Sequence, residues 1–416
     1  MKPLPCGSSI ALALLMALAS PLSRSEPVRP ERIEALAPAE RAVWAAYLER
    51  SAERARADRA AIEAELRELG AEAAVRAPSG GDFKVPEKTD PAWYASPEAA
   101  RLADVVLSYQ TPSGGWSKHT GYAAGPRRRG MLFTSQNEPG QPSHYVATFD
   151  NGSTTEQMQL LSRVWAATKR EDCRDGVLRG VDYVLDAQYP HGGWPQVYPL
   201  EGGYHDNITL NDNALTNVLG LLHAVVKGDP AFAMVEGERR QRVERAFRSG
   251  VDCLLALQVE RGGRKTVWCQ QYDALSLAPA SARKLEPASL SGMESVHVLK
   301  LLMSIREPSP RVVAAVEAGL AWLEQAKVTD VARRVVDGKT VYRIDPSSSE
   351  VYWARFYDLE TGKPIFPGRD GVVYADYESM IAKNAGGYDY YTTQPNSLLR
   401  TGRKNWRKML AGERKP

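Results

Sequence analysis

Cysteine is scarce in this chain of 416 residues, which contains four of them. Cys6 lies near the start, and the other three, Cys173, Cys253 and Cys269, are not spaced like the ligands of a zinc site. Three cysteines allow at most one disulfide bridge. We expect three buried thiols, with a bridge between Cys253 and Cys269 as the alternative.

An excess of charge is also missing. The chain has 53 Lys and Arg residues against 50 Asp and Glu residues, which gives a net charge of +3. This balance gives no reason to expect a nucleic acid as the partner, because such polyanions are bound by many uncompensated cations. Local clusters of charge are therefore more informative than the total.

Long apolar runs are absent after residues 10–19, and that run is too short to span a bilayer. It follows Lys2 and ends in the small-residue sequence Ala17-Leu18-Ala19. This arrangement is typical of a secretory signal peptide, which we assign to residues 1–25. We expect a secreted or periplasmic protein with no membrane contact.

The rest of the chain is long enough for a large core, since 43% of the residues are hydrophobic. Residues 26–76 are rich in Ala, Glu and Arg with helical periodicity, and they predict an N-terminal helical arm. Residues 77–91 have the Pro, Gly and charge content of a linker. The main domain is predicted at 92–403, followed by a basic tail at 404–416, and we expect a monomer.

A pattern of Gln, Gly-Gly and Trp recurs after predicted helices. The glycines suit a helix end with left-handed backbone. In the third copy the tryptophan is displaced, so the repeat is degenerate. The tryptophans would either pack between helices or stack on sugar rings. The three copies are Gln110–Trp116, Gln188–Trp194 and Gln258–Gly263 with Trp268.

Long and short loops alternate along the main domain. In paired antiparallel helices alternate loops lie on the same face, so the long loops share one end. We predict a mainly α fold, an α/α toroid or incomplete α/α barrel, with its cleft among the long loops. A few short strands are expected as C-terminal hairpins at Val341–Ile344 and Val351–Ala354. The predicted long loops are 111–152, 189–211 and 260–290, and the short ones are 169–175 and 306–310.

Two aspartates precede the helices that follow the long loops. Asp150 lies before Ser153-x-x-Glu156, which has the form of a capping box. Asp212 precedes an amphipathic run, where Asn211 or Asp212 would be the N-cap. Because both helix starts are expected on one face, the two carboxylates would meet there. Such oxygen ligands favour hard cations, Ca²⁺ above all. Alternatively, both aspartates only cap helices.

Four cationic residues are expected on the same face: Arg283, Lys284, Arg355 and Arg369. Any one of them alone would be a solvated surface charge. Together with two acids in one cleft, they suit an anionic substrate held by bidentate Arg–carboxylate contacts. The loop histidines have no partner at a diagnostic spacing and receive no role; these are His119, His144, His191 and His205.

Six motifs, in this order, make the segment from about residue 92 to residue 399 resemble the pectate lyases of polysaccharide lyase family ten. The number and order of the motifs make the match more specific than any one of them. Residues 26–76 lie outside the resemblance. The motifs are GGW-x-K (Trp116, Lys118), T-F-D-N-G-x-T (Asp150, Asn151), YPHGGWPQVYP (Tyr189–Pro199), I-T-x-N-D-N-A (Asp212), A-R-x-x-E-P-x-S-L-S-G (Arg283), and R-F-Y-D with R-D-G (Arg355, Arg369).

The resemblance implies an α/α toroid that cleaves polygalacturonate, α-1,4-linked galacturonic acid, by calcium-dependent β-elimination to 4,5-unsaturated oligogalacturonides. It implies that Asp150 and Asp212 bind Ca²⁺ together with the substrate's own carboxylate, and that Arg283 is the base for the C5 proton. It further implies substrate contacts for Lys118, Asn151, Lys284, Arg355 and Arg369.

An arginine base conflicts with the usual pKa of a guanidinium, which is above about 12. Neighbouring cations would lower the pKa of Arg283, since like charges disfavour the charged form. Lys284 is the alternative base, because a crowded lysine shifts its pKa more readily.

Three other functions fit parts of the pattern. A terpenoid-cyclase-like toroid also carries Q-x-x-x-G-x-W repeats, but it needs an Asp-rich motif that this sequence lacks. A non-catalytic uronate-binding protein is disfavoured by the presence of Asp150, Asp212 and Arg283 together. An α/α toroid glycoside hydrolase would use paired acids without calcium.

Overall fold

The structure is a computed structural model, and it describes residues 26–85, 90–135, 146–336 and 338–413. The predicted signal peptide and His144 lie outside them. In the described part of the chain, no helix has the length and apolar character needed to cross a membrane. The helices are α1 (Pro30–Ile33), α2 (Pro38–Leu69), α3 (Pro97–Ser108), α4 (Thr155–Thr168), α5 (Glu171–Ala187), α6 (Ala214–Val226), α7 (Gly237–Leu257), α8 (Glu294–Met303), α9 (Pro310–Gln325), α10 (Tyr377–Ala382), α11 (Gln394–Ser397) and α12 (Arg403–Leu410).

The helices of the main domain pack in two layers. Helices α4, α6 and α8 are neighbours in the inner layer, and α3, α5, α7 and α9 are neighbours in the outer layer. Pairs such as α4 with α5 and α6 with α7 connect the layers. Helix α6 is apolar almost all round and is buried, whereas the amphipathic α5 turns a charged face outward. The predicted α/α toroid is confirmed.

The Gln-Gly-Gly-Trp repeat ties each outer helix to the next. Each glutamine amide donates to its own turn and to the following outer helix, through Gln110 to Gly176, Gln188 to Ala246 and Gln258 to Ala315, at 2.9 Å in each case. Each tryptophan indole donates to a backbone oxygen of the preceding outer helix, and Trp353 does the same without a preceding Gly-Gly. These bonds join Trp116 to Val106, Trp194 to Val184, Trp268 to Leu254 and Trp353 to Leu323.

These four tryptophans are at most 1% exposed, so they pack between helices and do not stack on sugar. The turn glycines have a steric reason as well. Gly114 and Gly192 have φ values of 106° and 91°, and an added Cβ would lie 2.5 Å or less from a backbone oxygen of the next outer helix. Only glycine fits these positions.

The N-terminal helical arm packs on the toroid and shares its core. Trp44 of α2 is fully buried against the rings of Tyr189 and His191. Farther along α2, the carboxylate of Asp58 accepts from the N–H and hydroxyl of Ser113 in the first Gly-Gly-Trp turn, at 2.7 and 2.8 Å. Helix α2 thus contacts the starts of two long loops.

The long loops and the C-terminal segment form short two-stranded antiparallel sheets. The hairpin predicted at Val341–Ile344 is present, whereas Val351–Ala354 forms no hairpin, because its strand pairs with a distant segment near the C-terminus. The pairs are β1 (Ile208–Thr209) with β4 (Gln271–Tyr272), β2 (Glu260–Arg261) with β3 (Arg264–Lys265), β5 (Leu290–Ser291) with β9 (Phe356–Tyr357), β6 (Val331–Val336) with β7 (Lys339–Ile344), β8 (Trp353–Ala354) with β12 (Tyr391–Thr392), and β10 (Phe366–Pro367) with β11 (Val373–Tyr374).

Part of the predicted basic tail is helix α12, in which Trp406 is buried to 3% exposure.

The three cysteines in the described residues are free and buried, which confirms the preferred interpretation over a bridge. Burial raises the pKa of each thiol to about 12, so these cysteines are unreactive.

Candidate active site

The N-terminal ends of the inner helices meet at one end of the toroid. The turn Asp150–Gly152 before α4 packs against the turn Asn211–Asn213 before α6, and the latter also contacts α8. Asn151 and Asp212 take left-handed conformations, with φ values of 52° and 49°. The predicted convergence of the two acidic turns is therefore what the geometry shows.

The predicted helix caps are wrong. Helix α4 begins at Thr155 without a side-chain cap, and the carboxylate of Glu156 accepts from the N–H of Val85 at 3.0 Å. Ser153 therefore does not form a capping box with Glu156. Helix α6 begins at Ala214, also without a side-chain cap. Since neither aspartate caps a helix, capping does not explain why both carboxylates lie here.

The Asp150 carboxylate is 2% exposed and only half satisfied. Its Oδ2 pairs with the ammonium of Lys118, while its buried Oδ1 has no hydrogen-bond partner among the described residues. Burial, and then the charge of Asp150, raise the pKa of Asp212 to about 6. The buried carboxylate of Asp150, with its unpaired oxygen, and the partly buried carboxylate of Asp212, which it repels, make a site that favours a cation.

The donor set is small for a metal. Within the described ranges, no group of three or more His, Cys, Asp or Glu residues could hold a metal ion. A cation bound by Asp150 and Asp212 would therefore need oxygen ligands from outside the protein's acids. An anionic substrate is one source of such oxygens.

Arg355 lies between β8 and β9 and is 6% exposed, so the alternative of a solvated surface charge does not hold for this residue. Its Nη2 donates to Glu294 Oε1 at 2.8 Å and to Asn211 Oδ1 at 2.9 Å. Burial lowers the pKa of Arg355, but the nearby carboxylates, Glu294 first, outweigh it and the pKa is raised. Its Nε is buried without a hydrogen-bond partner in the described structure.

Arg283 is half-exposed and forms a bidentate pair with Glu286, with Nε–Oε2 at 2.8 Å and Nη2–Oε1 at 2.7 Å. Its Nη2 also donates to the hydroxyl of Tyr388. The hydrogen bond to Glu286 is the main reason that the pKa of Arg283 is raised. The expected lowering by neighbouring cations is therefore wrong for this state, because a carboxylate is the nearest charge.

The other two of the four predicted cationic residues also lie near Arg283 and Tyr388. Lys284 and Arg369 are exposed. Lys284 lies next to Gly371, and Arg369 lies against Gly387, the residue before Tyr388. The structure therefore brings the four cationic residues together with the two acidic turns.

Comparison with known proteins identifies the family. Residues 110–399 match the family model of pectic acid lyase. The chain belongs to this family. Two solved structures are similar, a family 10 polysaccharide lyase from Cellvibrio cellulosa and a mutant of it in complex with trigalacturonic acid. Each is 32% identical with a TM-score of 0.65, covering 76% of this chain and 95% of the other. No curated protein sequence matches the chain.

The protein is thus a polysaccharide lyase of the pectic acid lyase family. Its site contains residues that the sequence patterns did not single out. Glu286 stands within the Arg283 motif, and its spacing of three residues from Arg283 was a usable signal for an ion pair. Tyr388 gave no local signal, since its contact to Arg355 crosses 33 positions of the chain. Glu294 stood out only as part of Ser291-x-x-Glu294, which has the form of a capping box, and that pattern does not predict its contact with Arg355, 61 positions away.

Proposed function

We propose that this lyase cleaves polygalacturonate by calcium-dependent β-elimination and releases 4,5-unsaturated oligogalacturonides. The observation that carries the proposal is a pair of carboxylates on packed turns, near a group of cationic side chains: Asp150 is buried with an unpaired oxygen, and Asp212 is partly buried. The similar structure with trigalacturonic acid supports a uronate substrate.

Asp150 and Asp212 would hold the calcium ion. Their hard oxygen atoms, the partnerless Oδ1 of Asp150 and the raised pKa of Asp212 all fit a divalent cation of this kind. The substrate carboxylate would complete the ligand set, as the small number of protein acids requires. Calcium bound there would stabilise the negative charge that develops on the uronate carboxylate when the proton α to it is removed.

Arg283 would act as the base. The C5 proton is α to a carboxylate, and its removal places further negative charge on that group. Arg283 would take the proton, and the electron pair of the C5–H bond would form the C4–C5 double bond. The C4–O bond would break with its electron pair on the glycosidic oxygen, which would take a proton from water. Arg355 and Arg369 would stabilise the developing charge. Lys118, Asn151 and Lys284 would contact neighbouring carboxylates.

The raised pKa of Arg283 has a consequence for the rate. Only a deprotonated base accepts the proton, and Glu286 favours the protonated form. We therefore expect kcat to rise with pH through the alkaline range. A kcat that does not change with pH in the alkaline range would contradict an arginine base and would favour Lys284 as the base.

The test is a spectrophotometric assay on polygalacturonate, which follows the ultraviolet absorbance of the new double bond, with added calcium and with a chelator. Absorbance that grows with calcium and stops with the chelator supports the proposal. Reducing ends without absorbance would indicate hydrolysis, and the absence of both signals would indicate a binding protein.

We also propose that the enzyme is exported and is a monomer. N-terminal sequencing of the exported protein would check the export, and light scattering would check the oligomeric state.

A further inference from the structure

Two residues to which the family resemblance gave no role, Glu286 and Tyr388, hold the guanidinium of Arg283. Glu286 accepts from both Nε and Nη2. The Tyr388 hydroxyl accepts from Nη2 and itself donates to Glu286 Oε1. Two of the three guanidinium nitrogens are thereby occupied. Among the described residues, the third nitrogen, Nη1, has no hydrogen-bond partner.

Glu286 is a buried acid whose carboxylate is held by several hydrogen bonds. Its side chain is 3% exposed, whereas that of Arg283 is 50% exposed. Its carboxylate also accepts from the backbone N–H of Arg283 at 3.1 Å and from Asn211 Nδ2 at 3.4 Å. A carboxylate fixed by this many donors fixes the plane of the guanidinium that it binds, because the two parallel hydrogen bonds define that plane.

Tyr388 connects Arg283 to Arg355. The guanidinium of Arg355 lies over the Tyr388 ring at 4.2 Å from the centroid, within the range of a cation–π contact. The guanidinium of Arg283 is 5.8 Å from the same centroid and binds the hydroxyl. One side chain thus sets the separation between the two arginines.

We propose that Glu286 and Tyr388 are positioning residues for the elimination, which hold Nε and Nη2 of Arg283 so that Nη1 is the nitrogen offered to the C5 proton. The inference rests on the proposed function, in which Arg283 is the base. It assigns the orientation of the base to one buried carboxylate and one phenol hydroxyl.

The charge of Glu286 adds a second effect. It is the main cause of the raised pKa of Arg283. The charged or titratable groups around the cluster also include Tyr388, Tyr204, Asp212, Glu294, Lys284, Arg355 and Arg369. In Glu286→Gln an acceptor of the same size remains, but the negative charge is lost. The variant should therefore orient the base less well and deprotonate it more easily.

The experiment compares kcat, KM and the pH profile of kcat for wild type, Glu286→Gln and Tyr388→Phe on polygalacturonate at saturating calcium. We expect kcat to fall by about 100-fold in each variant, because the base is misplaced. KM should change by less than about threefold, because the substrate contacts remain. In Glu286→Gln the rising limb of the pH profile should move down by about one pH unit.

Tyr374→Phe is the matched control. Tyr374 also donates to a carboxylate, Asp370, at 2.6 Å, and the structure shows no contact of it with Arg283 or Arg355. Wild-type kinetics are expected for this variant. Circular dichroism shows which variants fold, and if Glu286→Gln does not fold, Tyr388→Phe decides, because it retains the Arg283–Glu286 pair.

The outcomes separate the two proposals. A wild-type enzyme that makes no unsaturated product would overturn the proposed function, and the positioning role with it. An active wild type with unchanged kcat and pH profile in the folded variants would overturn only the positioning role. A raised KM with unchanged kcat would also overturn it, because it would make the two residues substrate contacts.

Discussion

Replacing Glu294 with alanine should destabilise the enzyme strongly. The Glu294 and Arg355 side chains are 3% and 7% exposed, and their charged atoms are 2.8 Å apart. Removing one partner of a buried pair costs about 3–5 kcal/mol, because the other charge stays buried. Arg355 would keep its hydrogen bond to Asn211 and its contact with the Tyr388 ring. We therefore expect a loss near the lower limit, about 3 kcal/mol.

Urea unfolding at neutral pH measures this loss as a change of midpoint at constant slope. The matched control is Glu317→Ala, which breaks a bidentate pair with Arg407 at 2.7 and 3.0 Å on the exposed surface. We expect no measurable change there, since water screens exposed pairs. A loss below about 1 kcal/mol in Glu294→Ala would show that Arg355 is solvated, and the account of a buried pair would be wrong.

Three further predictions concern the site and the arm. Arg283→Ala should abolish turnover and leave binding of oligogalacturonates, measured by calorimetry, largely intact; residual turnover, or binding lost as fully as turnover, would reject its role as base. Asp150→Ala and Asp212→Ala should each raise the calcium concentration needed for half-maximal activity, and an unchanged requirement in both would remove them from the metal site. Asp58→Ala should lower the free energy of unfolding by about 1–3 kcal/mol, because the N–H of Ser113 loses a buried acceptor; an unchanged urea midpoint would show that the contact between Asp58 and Ser113 adds nothing to stability.

Much of the fold follows from local signals in the chain. Helical periodicity and the repeated Gln-Gly-Gly-Trp turns predicted the toroid, and the alternation of loop lengths predicted that the acidic turns share one end. Gln258 and Trp268 make the same bonds as the regular copies, so even the degenerate repeat was informative. These features depend on residues a few positions apart, whose spacing the backbone geometry fixes.

Local signals failed where the backbone at the site is irregular. The sequence Ser153-x-x-Glu156 has the form of a capping box, but Asn151 and Thr154 have positive φ values, 52° and 66°, and the helix begins only at Thr155. The carboxylate of Glu156 instead accepts a hydrogen bond from the N–H of Val85, a residue 71 positions away. A cap needs one backbone geometry, and the tertiary structure at these turns imposes another.

The sequence by itself determined the α/α toroid, the two aspartates at one end of it and the group of cationic residues near them. Only the tertiary structure decided which charges are buried and which partners they have. Arg355 became a buried ion pair with Glu294, and Arg283 was bound by Glu286 and Tyr388. The reason is physical: periodicity encodes which face of a helix is apolar, whereas the pKa and orientation of a charged group depend on neighbours that the fold brings from distant parts of the chain.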